Sequence, residues 1–445
     1  MNGKETGLVS ASILLALGIR LFLLFTYQPL YGNDAPSYAA LADMIQTGDF
    51  SEYNGRRTPG YPLFMLMMNS DNQWIRLAQN MAGCLSLWLI YGLARRFLPA
   101  MANAGLLLFL AISIQFPFYE AMIQTEALAG LAIVASLCCF AVSGRRPAGR
   151  LLLASAIASL GALVRPHLVI IPPLYGALHL FRSHADRRRL SRELAAIALP
   201  AAVLIGGWVG FNYAKLSRPT FSTLPRGDLM AHMISYVNDA DDKYGSVKQA
   251  FVEAYAAMKD TVLAADDNRS GYMSFAYAKM GAKGGGTFLE TSDVVHDMAL
   301  DLIRKHPLGY AKNALGAWLR FWRVHIIVYP ECFSGRSRLY DLTMAAWMPI
   351  KLGWLAVNVL FFLFLPLWPF LPMDADRRHL LSALYALPLA ASVSQALTQY
   401  YDSARFAVPF QPLVALAVAL VAVSLFERLG ARARPPVSAG KGNPA

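Results

Sequence analysis

The chain has 445 residues, 56% of them hydrophobic and 15% charged, with a formal net charge of +12. These proportions lie far from the soluble average, and the apolar residues come in blocks long enough to cross a bilayer, which takes about 20 residues of helix. A basic chain built this way is not a nucleic-acid-binding protein; its excess of Lys and Arg reflects topology and anionic lipid headgroups.

The first apolar block, 8–29, follows Lys4 and superficially looks like a signal peptide. It is too long and lacks a small-x-small cleavage site before Tyr27, so it is expected to stay as a membrane span. Arg20 falls near its middle, where a charge costs about 2.5–3.5 kcal/mol on insertion scales. It must face the bundle interior or water, either packed against an acid or placed at a lipid site. A polar loop from Tyr31 to about Trp74 follows, carrying Asp34, Arg56 and Arg57.

Further spans are expected near 75–95, 101–117, 122–142, 151–166, 167–181 and 194–213. The 151–166 and 167–181 blocks are short and meet at Arg165-Pro166, as a tight hairpin or one broken helix. A second large polar segment runs from about Ala214 to Asp341, and spans near 344–371, 379–398 and 406–426 complete the chain. The reading is therefore an all-α polytopic membrane protein with about 10 spans (9–11). With ten spans, the basic clusters at Arg95-Arg96, Arg145 to Arg150, Arg182 to Arg192, Arg377-Arg378 and Arg428 to Arg434 share one side with both termini. That is the positive-inside pattern, so both termini are cytoplasmic and both large loops are extracytoplasmic.

Within the second large segment, 247–264 and 293–304 have helical spacing, with Thr291-Ser-Asp293 as candidate caps and His306-Pro307 as a stop. The run Gly284 to Gly286 has no following Lys-Ser/Thr and no preceding strand, so it reads as a linker rather than a phosphate loop. Residues 315–328, with Trp318, Trp322, Arg320 and Arg323, suit a helix lying in the membrane interface. The expected organisation is an N-terminal transmembrane module (1–213), an extracytoplasmic helical segment (214–341), C-terminal spans (342–430) and a disordered tail (431–445). Cys84, Cys138 and Cys139 lie inside spans and only Cys332 is outside, so no disulfide framework is available. His232, His296 and His325 lack ligand spacing and read as ordinary surface or interface residues.

Asp34 has two readings: a cap for the short helix beginning near Pro36, or a general base that takes a proton from an attacking hydroxyl. Arg56, Arg57, Arg165 and Arg405 all lie on extracytoplasmic loops and offer planar donors suited to a phosphate. Glu126 sits just inside the fourth span, where an unpaired carboxylate is costly. It either pairs with an arginine or joins Asp34 and His167 around a divalent cation, the only cofactor this reading admits.

The order of features resembles the GT-C glycosyltransferases that use lipid-phosphate sugar donors, in the branch of the protein O-mannosyltransferases and the lipid A aminoarabinose transferase. The matching residues are Asn33-Asp34-x-x-x-Tyr38, Gly48-Asp-Phe50, Arg57-Thr-Pro-Gly-Tyr-Pro62, Gln124-Thr-Glu126, Leu163-Val-Arg165-Pro166, Phe211-Asn-Tyr213, Gly227 with Leu229, His306-Pro-Leu-Gly-Tyr310 and Ser403-Ala-Arg-Phe406. The resemblance implies an inverting transfer from a polyprenyl-phosphate sugar to an acceptor hydroxyl at the extracytoplasmic face of a bacterial inner membrane. It implies Asp34 as base, Arg56, Arg57, Arg165 and Arg405 on the donor phosphate, and Tyr38, Tyr61, Glu126 and His167 in contact with substrate. The acceptor would be a glycan, a glycolipid, lipid A or a protein. Many relatives have two adjacent acids in the first loop, whereas Asn33 precedes Asp34 here. A transporter or flippase of a lipid-linked sugar is the main rival; it usually shows two related halves, which are not evident here. A non-catalytic scaffold for an envelope complex is the third reading.

Overall fold

The structure is a computed structural model and describes the chain except residues 1–2, 33, 142–146, 183–185, 260–268, 283–287, 334, 402 and 434–445. Helices dominate because a backbone inside a bilayer must satisfy its polar groups within its own segment. Among the described residues, seven helices are long and apolar enough to cross: Glu5–Thr26, Asn72–Ala94, Pro147–Val164, Arg187–Leu216, Ser337–Phe364, Ala375–Thr398 and Ser403–Leu429. The pair Ala100–Ile112 and Gln115–Ala121, bent by 47°, makes an eighth when taken as one span. Glu126–Ala141 and Pro166–Phe181 are apolar but shorter. The protein is thus a multi-pass helical membrane protein, in which every expected block is helical while the full-length crossings number seven or eight.

Prolines account for two of the breaks. Pro117 has no N–H and its ring crowds the carbonyl four residues back, at Ser113, where the bent pair parts. Pro166 disfavours the helical region for the residue before it, and Arg165 is extended (φ −140°, ψ 107°). The 151–181 region is therefore two helical pieces joined at Arg165.

The main core lies between the spans, where Ile133, Leu137, Trp354, Leu384 and Leu416 are fully buried. Leu14, Phe25, Trp88, Val203, Leu352 and Leu363 point outward, as lipid-facing positions do. A second core, around Met233, Phe251, Tyr272, Met298 and Leu302, holds the helices Gly245–Met258, Arg269–Ala282 and Phe288–Lys305 together.

Two expectations for this segment change. The helix expected from Asp293 begins at Phe288, so Asp293 does not cap it; Asp293 pairs instead with Arg218 and Arg226. The helix expected over 315–328 is Pro307–Phe321, because Pro307 at its first turn starts it early. Its outer stripe of Leu308, Leu315 and Leu319 is exposed. Residues 260–264, the run Gly284 to Gly286, Asn33 and the tail beyond 433 lie outside the described residues.

Candidate active site

The first external loop sets Asp34 at the start of the helix Ala35–Thr47, in helical conformation (φ −86°, ψ −22°) and with no side-chain capping bond. Asp71 shows the contrast: its extended backbone (ψ 124°) lets its carboxylate accept from the amides of Gln73 and Trp74 at 2.8 and 3.1 Å. The Asp34 carboxylate is therefore left for other partners. Oδ1 accepts from Arg57 Nη2 at 2.5 Å and Oδ2 from Arg405 Nη2 at 2.6 Å.

Arg405 also reaches a second acid. Its Nε lies 2.5 Å from Glu126 Oε1, and Arg165 Nη1 lies 2.7 Å from the same oxygen. Glu126 opens the helix Glu126–Ala141, where the positive helix end favours a carboxylate. Arg165 donates further to Thr125 Oγ1 at 2.9 Å and through Nε to His167 Nδ1 at 3.3 Å. Asp34, Arg57, Arg405, Glu126 and Arg165 thus form one connected set drawn from the first loop, the Arg165 break and the short helix Ser403–Ala407.

Aromatic residues hold the guanidiniums in place. Arg57 stacks over Tyr38 at 4.6 Å and donates to Ser37 Oγ at 2.7 Å, while Arg165 stacks over Phe406 at 4.4 Å. Tyr61 lies beneath, wholly buried edge-on against Tyr38, and its hydroxyl donates to Gln79 Oε1 at 2.8 Å. Gln79 in turn donates to the carbonyls of Glu120 and Met122, both at 2.7 Å. Tyr61 therefore sits in the floor of the site.

Gly60 fixes another edge. A Cβ built there would stand 2.6 Å from the backbone of Leu163 and Val164, so only glycine lets the first loop press against the helix end that presents Arg165.

The electrostatics follow from this geometry. Burial alone would raise the Asp34 carboxyl, but the charges and hydrogen bonds of Arg405 and Arg57 outweigh it and hold the group well below the usual carboxylate range. Among the described residues, three guanidiniums face two carboxylates, an excess of one positive charge. Arg165 Nη2 and His167 Nε2 are buried and have no hydrogen-bond partner. Buried donors of this kind are costly to leave unmade, so the set is poised to take an oxyanion.

Two expected members fall elsewhere. Arg56 makes no ion pair in this set; its Nε is buried without a partner, beside Asp228. The cation arrangement of Asp34, Glu126 and His167 is not formed, since arginines lie on both carboxylates and, among the described residues, no three His, Cys, Asp or Glu side chains converge as metal ligands.

Deeper in the bundle, Arg20 makes a two-pronged pair with Glu120, Nε to Oε2 and Nη2 to Oε1 at 2.7 Å each. This is the acidic partner the position of Arg20 demanded. The pair borders a small, mostly apolar cavity of about 50 Å³ lined also by Ile90, Val134, Val408 and Glu126, the member of the charged set that reaches it. Two contributors had no sequence signal. Arg76 is buried and donates to the carbonyls of Leu23 and Tyr27, closing the end of the first span. Asp228, flanked by Gly227 and Leu229, is buried and accepts from the Tyr401 hydroxyl.

Comparison with known proteins agrees with this architecture. Residues 61–208 match the family described as dolichyl-phosphate-mannose-protein mannosyltransferase. No curated protein shows significant sequence similarity to the chain. Among solved structures, the oligosaccharyltransferase AglB from Archaeoglobus fulgidus, in complex with an inhibitory peptide and a dolichol-phosphate, is 15% identical with a TM-score of 0.50; the match covers 97% of this chain and 51% of that one. ArnT from Cupriavidus metallidurans bound to undecaprenyl phosphate is 15% identical with a TM-score of 0.39, over 96% of this chain and 79% of that one. The chain spans about half the length of AglB. The fold is that of the GT-C proteins.

Proposed function

We propose that this GT-C-fold chain is a membrane glycosyltransferase that moves a sugar from a polyprenyl-phosphate donor to an acceptor hydroxyl on the extracytoplasmic face. The observation that carries the reading is the charged set that adjoins the apolar cavity through Glu126: among the described residues, three arginines on two carboxylates, with Arg165 Nη2 and His167 Nε2 buried and unpartnered. A lipid phosphate matches both parts. Its anionic head suits Arg57, Arg165 and Arg405, with His167 beside them, and its hydrocarbon suits the apolar lining of the cavity.

The chemistry runs as follows. Asp34 accepts the proton of the acceptor hydroxyl as that oxygen attacks the anomeric carbon from the face opposite the phosphate. The new C–O bond forms as the bond from the anomeric carbon to the phosphate oxygen breaks, which inverts the centre. The departing polyprenyl phosphate keeps the electron pair, and the arginines stabilise its growing charge. A carboxylate clamped by two arginines is a weak base, and this mechanism gives the donor a further task. The phosphate competes for Arg57 and Arg405, which loosens their hold on Asp34 and raises its basicity when the sugar is in place. Glu126 keeps Arg165 and Arg405 oriented throughout. The same reading puts both termini on the cytoplasmic side of a bacterial inner membrane, and a glycan, glycolipid, lipid A or protein could supply the acceptor.

The test is mass spectrometry of envelope lipids and glycans from a deletion strain. It is expected to show a missing single-sugar addition and an accumulating prenyl-phosphate sugar, corrected by the wild-type chain and not by Asp34→Asn. A folded Asp34→Asn protein that restores the addition at the wild-type rate would sink the role of Asp34. Purified protein that moves the lipid-linked sugar across vesicles without converting it would make the chain a transporter.

A further inference from the structure

A second polar cluster lies beside the charged set, built from four separate parts of the chain. Asp228 closes the turn Leu224–Asp228 and is buried; the hydroxyl of Tyr401, four residues before Arg405, donates to its Oδ1. The turn is bound to the first loop by three hydrogen bonds: Thr223 N to Gly55 O and Thr223 Oγ1 to Asn54 O at 3.0 Å, and Ser222 Oγ to Arg56 O at 2.9 Å. These bonds hold the Arg56 backbone at the seam; its guanidinium lies within electrostatic reach of Asp228, no ion pair joins the two among the described residues, and its Nε is buried without a hydrogen-bond partner. Tyr277 completes the group. A Cβ on Gly227 would fall 2.4 Å from its hydroxyl, so the glycine makes room for the phenol next to Asp228.

The charge balance of this cluster differs from that of its neighbour. Among the described residues it holds one carboxylate and, within electrostatic reach, one guanidinium of its own, and the other members are phenol hydroxyls. Oδ2 of Asp228 takes no hydrogen bond among the described residues. A neutral set offering a strong acceptor, cationic N–H donors and amphoteric hydroxyls is matched to a ligand with several adjacent hydroxyls. It disfavours a phosphorylated acceptor, which Asp228 would repel, and a lone Ser or Thr hydroxyl would leave most of its groups unpaired. Burial pushes the Asp228 carboxyl up to about 6 against the pull of the Tyr401 hydroxyl, Arg56 and Arg57, so a further partner relieves a strained charge.

We propose that Asp228, Arg56, Tyr277 and Tyr401 form the acceptor subsite and that the acceptor they take is an uncharged, polyhydroxylated sugar. Only the word acceptor rests on the transfer reading; the sugar site stands on its own geometry. Its position beside Asp34 and Arg57 would bring a bound hydroxyl to the base.

The experiment uses the full chain in detergent micelles and saturation-transfer NMR with methyl hexosides, a hexose 6-phosphate and a Ser/Thr-containing peptide as probes. At least one neutral methyl hexoside should receive saturation. Asp228→Asn and Tyr401→Phe should each weaken that binding by roughly ten-fold or more, as loss of a hydrogen bond to a charged group does. Tyr401→Phe preserves the ring and guards against a folding artefact, and the melting temperature of each variant is measured alongside. Absence of hexoside binding to the wild type, hexoside binding that neither variant changes, or a stronger Asp228-dependent signal from the phosphate or the peptide would each overturn the proposal. Stabilisation by undecaprenyl phosphate is measured in parallel. Its absence would count against the donor site while leaving a positive hexoside result intact.

Discussion

The protein buries arginine–carboxylate pairs in two places, and the difference between them separates packing from binding. In the bundle, Arg20 and Glu120 meet one to one with two parallel 2.7 Å hydrogen bonds, and the charges cancel. At the membrane face, Arg405 is divided between Asp34 and Glu126 while Arg57 and Arg165 each hold one of the same two acids. The first arrangement is closed. Among the described residues the second carries one surplus positive charge, and Arg165 Nη2 and His167 Nε2 are buried without a hydrogen-bond partner, which is destabilising unless an anion is to be bound. Counting charge and unmet donors therefore distinguishes the two pairs where burial does not, since all are largely shielded from solvent.

The largest effect that would break this contrast is catalytic. Asp34→Asn keeps the size of the side chain and one of its two guanidinium hydrogen bonds but cannot accept the proton; the transfer rate should fall by about 10²–10⁴ in a single-turnover assay of the purified protein. Arg405→Ala removes the one residue that touches both acids, and a drop of about 10²–10³ in rate is expected from loss of a leaving-group donor. Arg405→Lys should restore much of the stability but little of the rate, because an ammonium cannot span Asp34 and Glu126 as a planar fork does.

The bundle pair should behave in the opposite way. Arg20→Ala leaves Glu120 buried and unpaired, at a cost of about 3–5 kcal/mol, whereas Arg20→Met combined with Glu120→Leu should be close to neutral. Thermal unfolding in detergent reads the difference, and the double variant should still transfer sugar. Loss of transfer in a well-folded double variant would show that the pair serves the site after all. A smaller effect is expected at Gly60. Its replacement by Ala pushes a methyl group into the backbone before Arg165, costing roughly 1–3 kcal/mol and lowering the rate through displacement of that arginine.

How much of this could be read from the sequence depends on range. The spans were legible because hydropathy is local, and the breaks at Pro117 and Arg165-Pro166 follow from proline geometry. Arg20 announced a partner because a charge at that depth needs one, but Glu120 lies 100 residues away and nothing local selects it over Glu126. The choice between cap and ion pair for Asp34 was open for the same reason: Arg57 is 23 residues off and Arg405 is 371. The resemblance drew most of these residues to one site by their order. It placed Arg56 with the phosphate donors, whereas the turn over 222–228 draws it to Asp228 instead. Asp228 itself had no spacing, run or depth to mark it; its importance comes from burial and from Tyr401, both tertiary.

The smallest effect expected is a pH dependence of stability, in which the two acids of the site have opposite signs. Asp34 is held below its unfolded value, so its contribution is fully present above about pH 4 and is lost as pH falls through and below that point. Asp228 is raised to about 6, so its native state binds more protons than its unfolded state between about pH 4 and 6. Stability from this group therefore declines as pH rises across that window, by roughly 3 kcal/mol for a shift of about two units, and stays level above it. Melting temperatures taken from pH 4 to 7 should show the decline in the wild-type protein and not in Asp228→Asn, while Asp34→Asn keeps it. A decline that persists in Asp228→Asn would assign it to another group and would remove the strained charge from the second cluster, leaving its neutrality to rest on Arg56 alone.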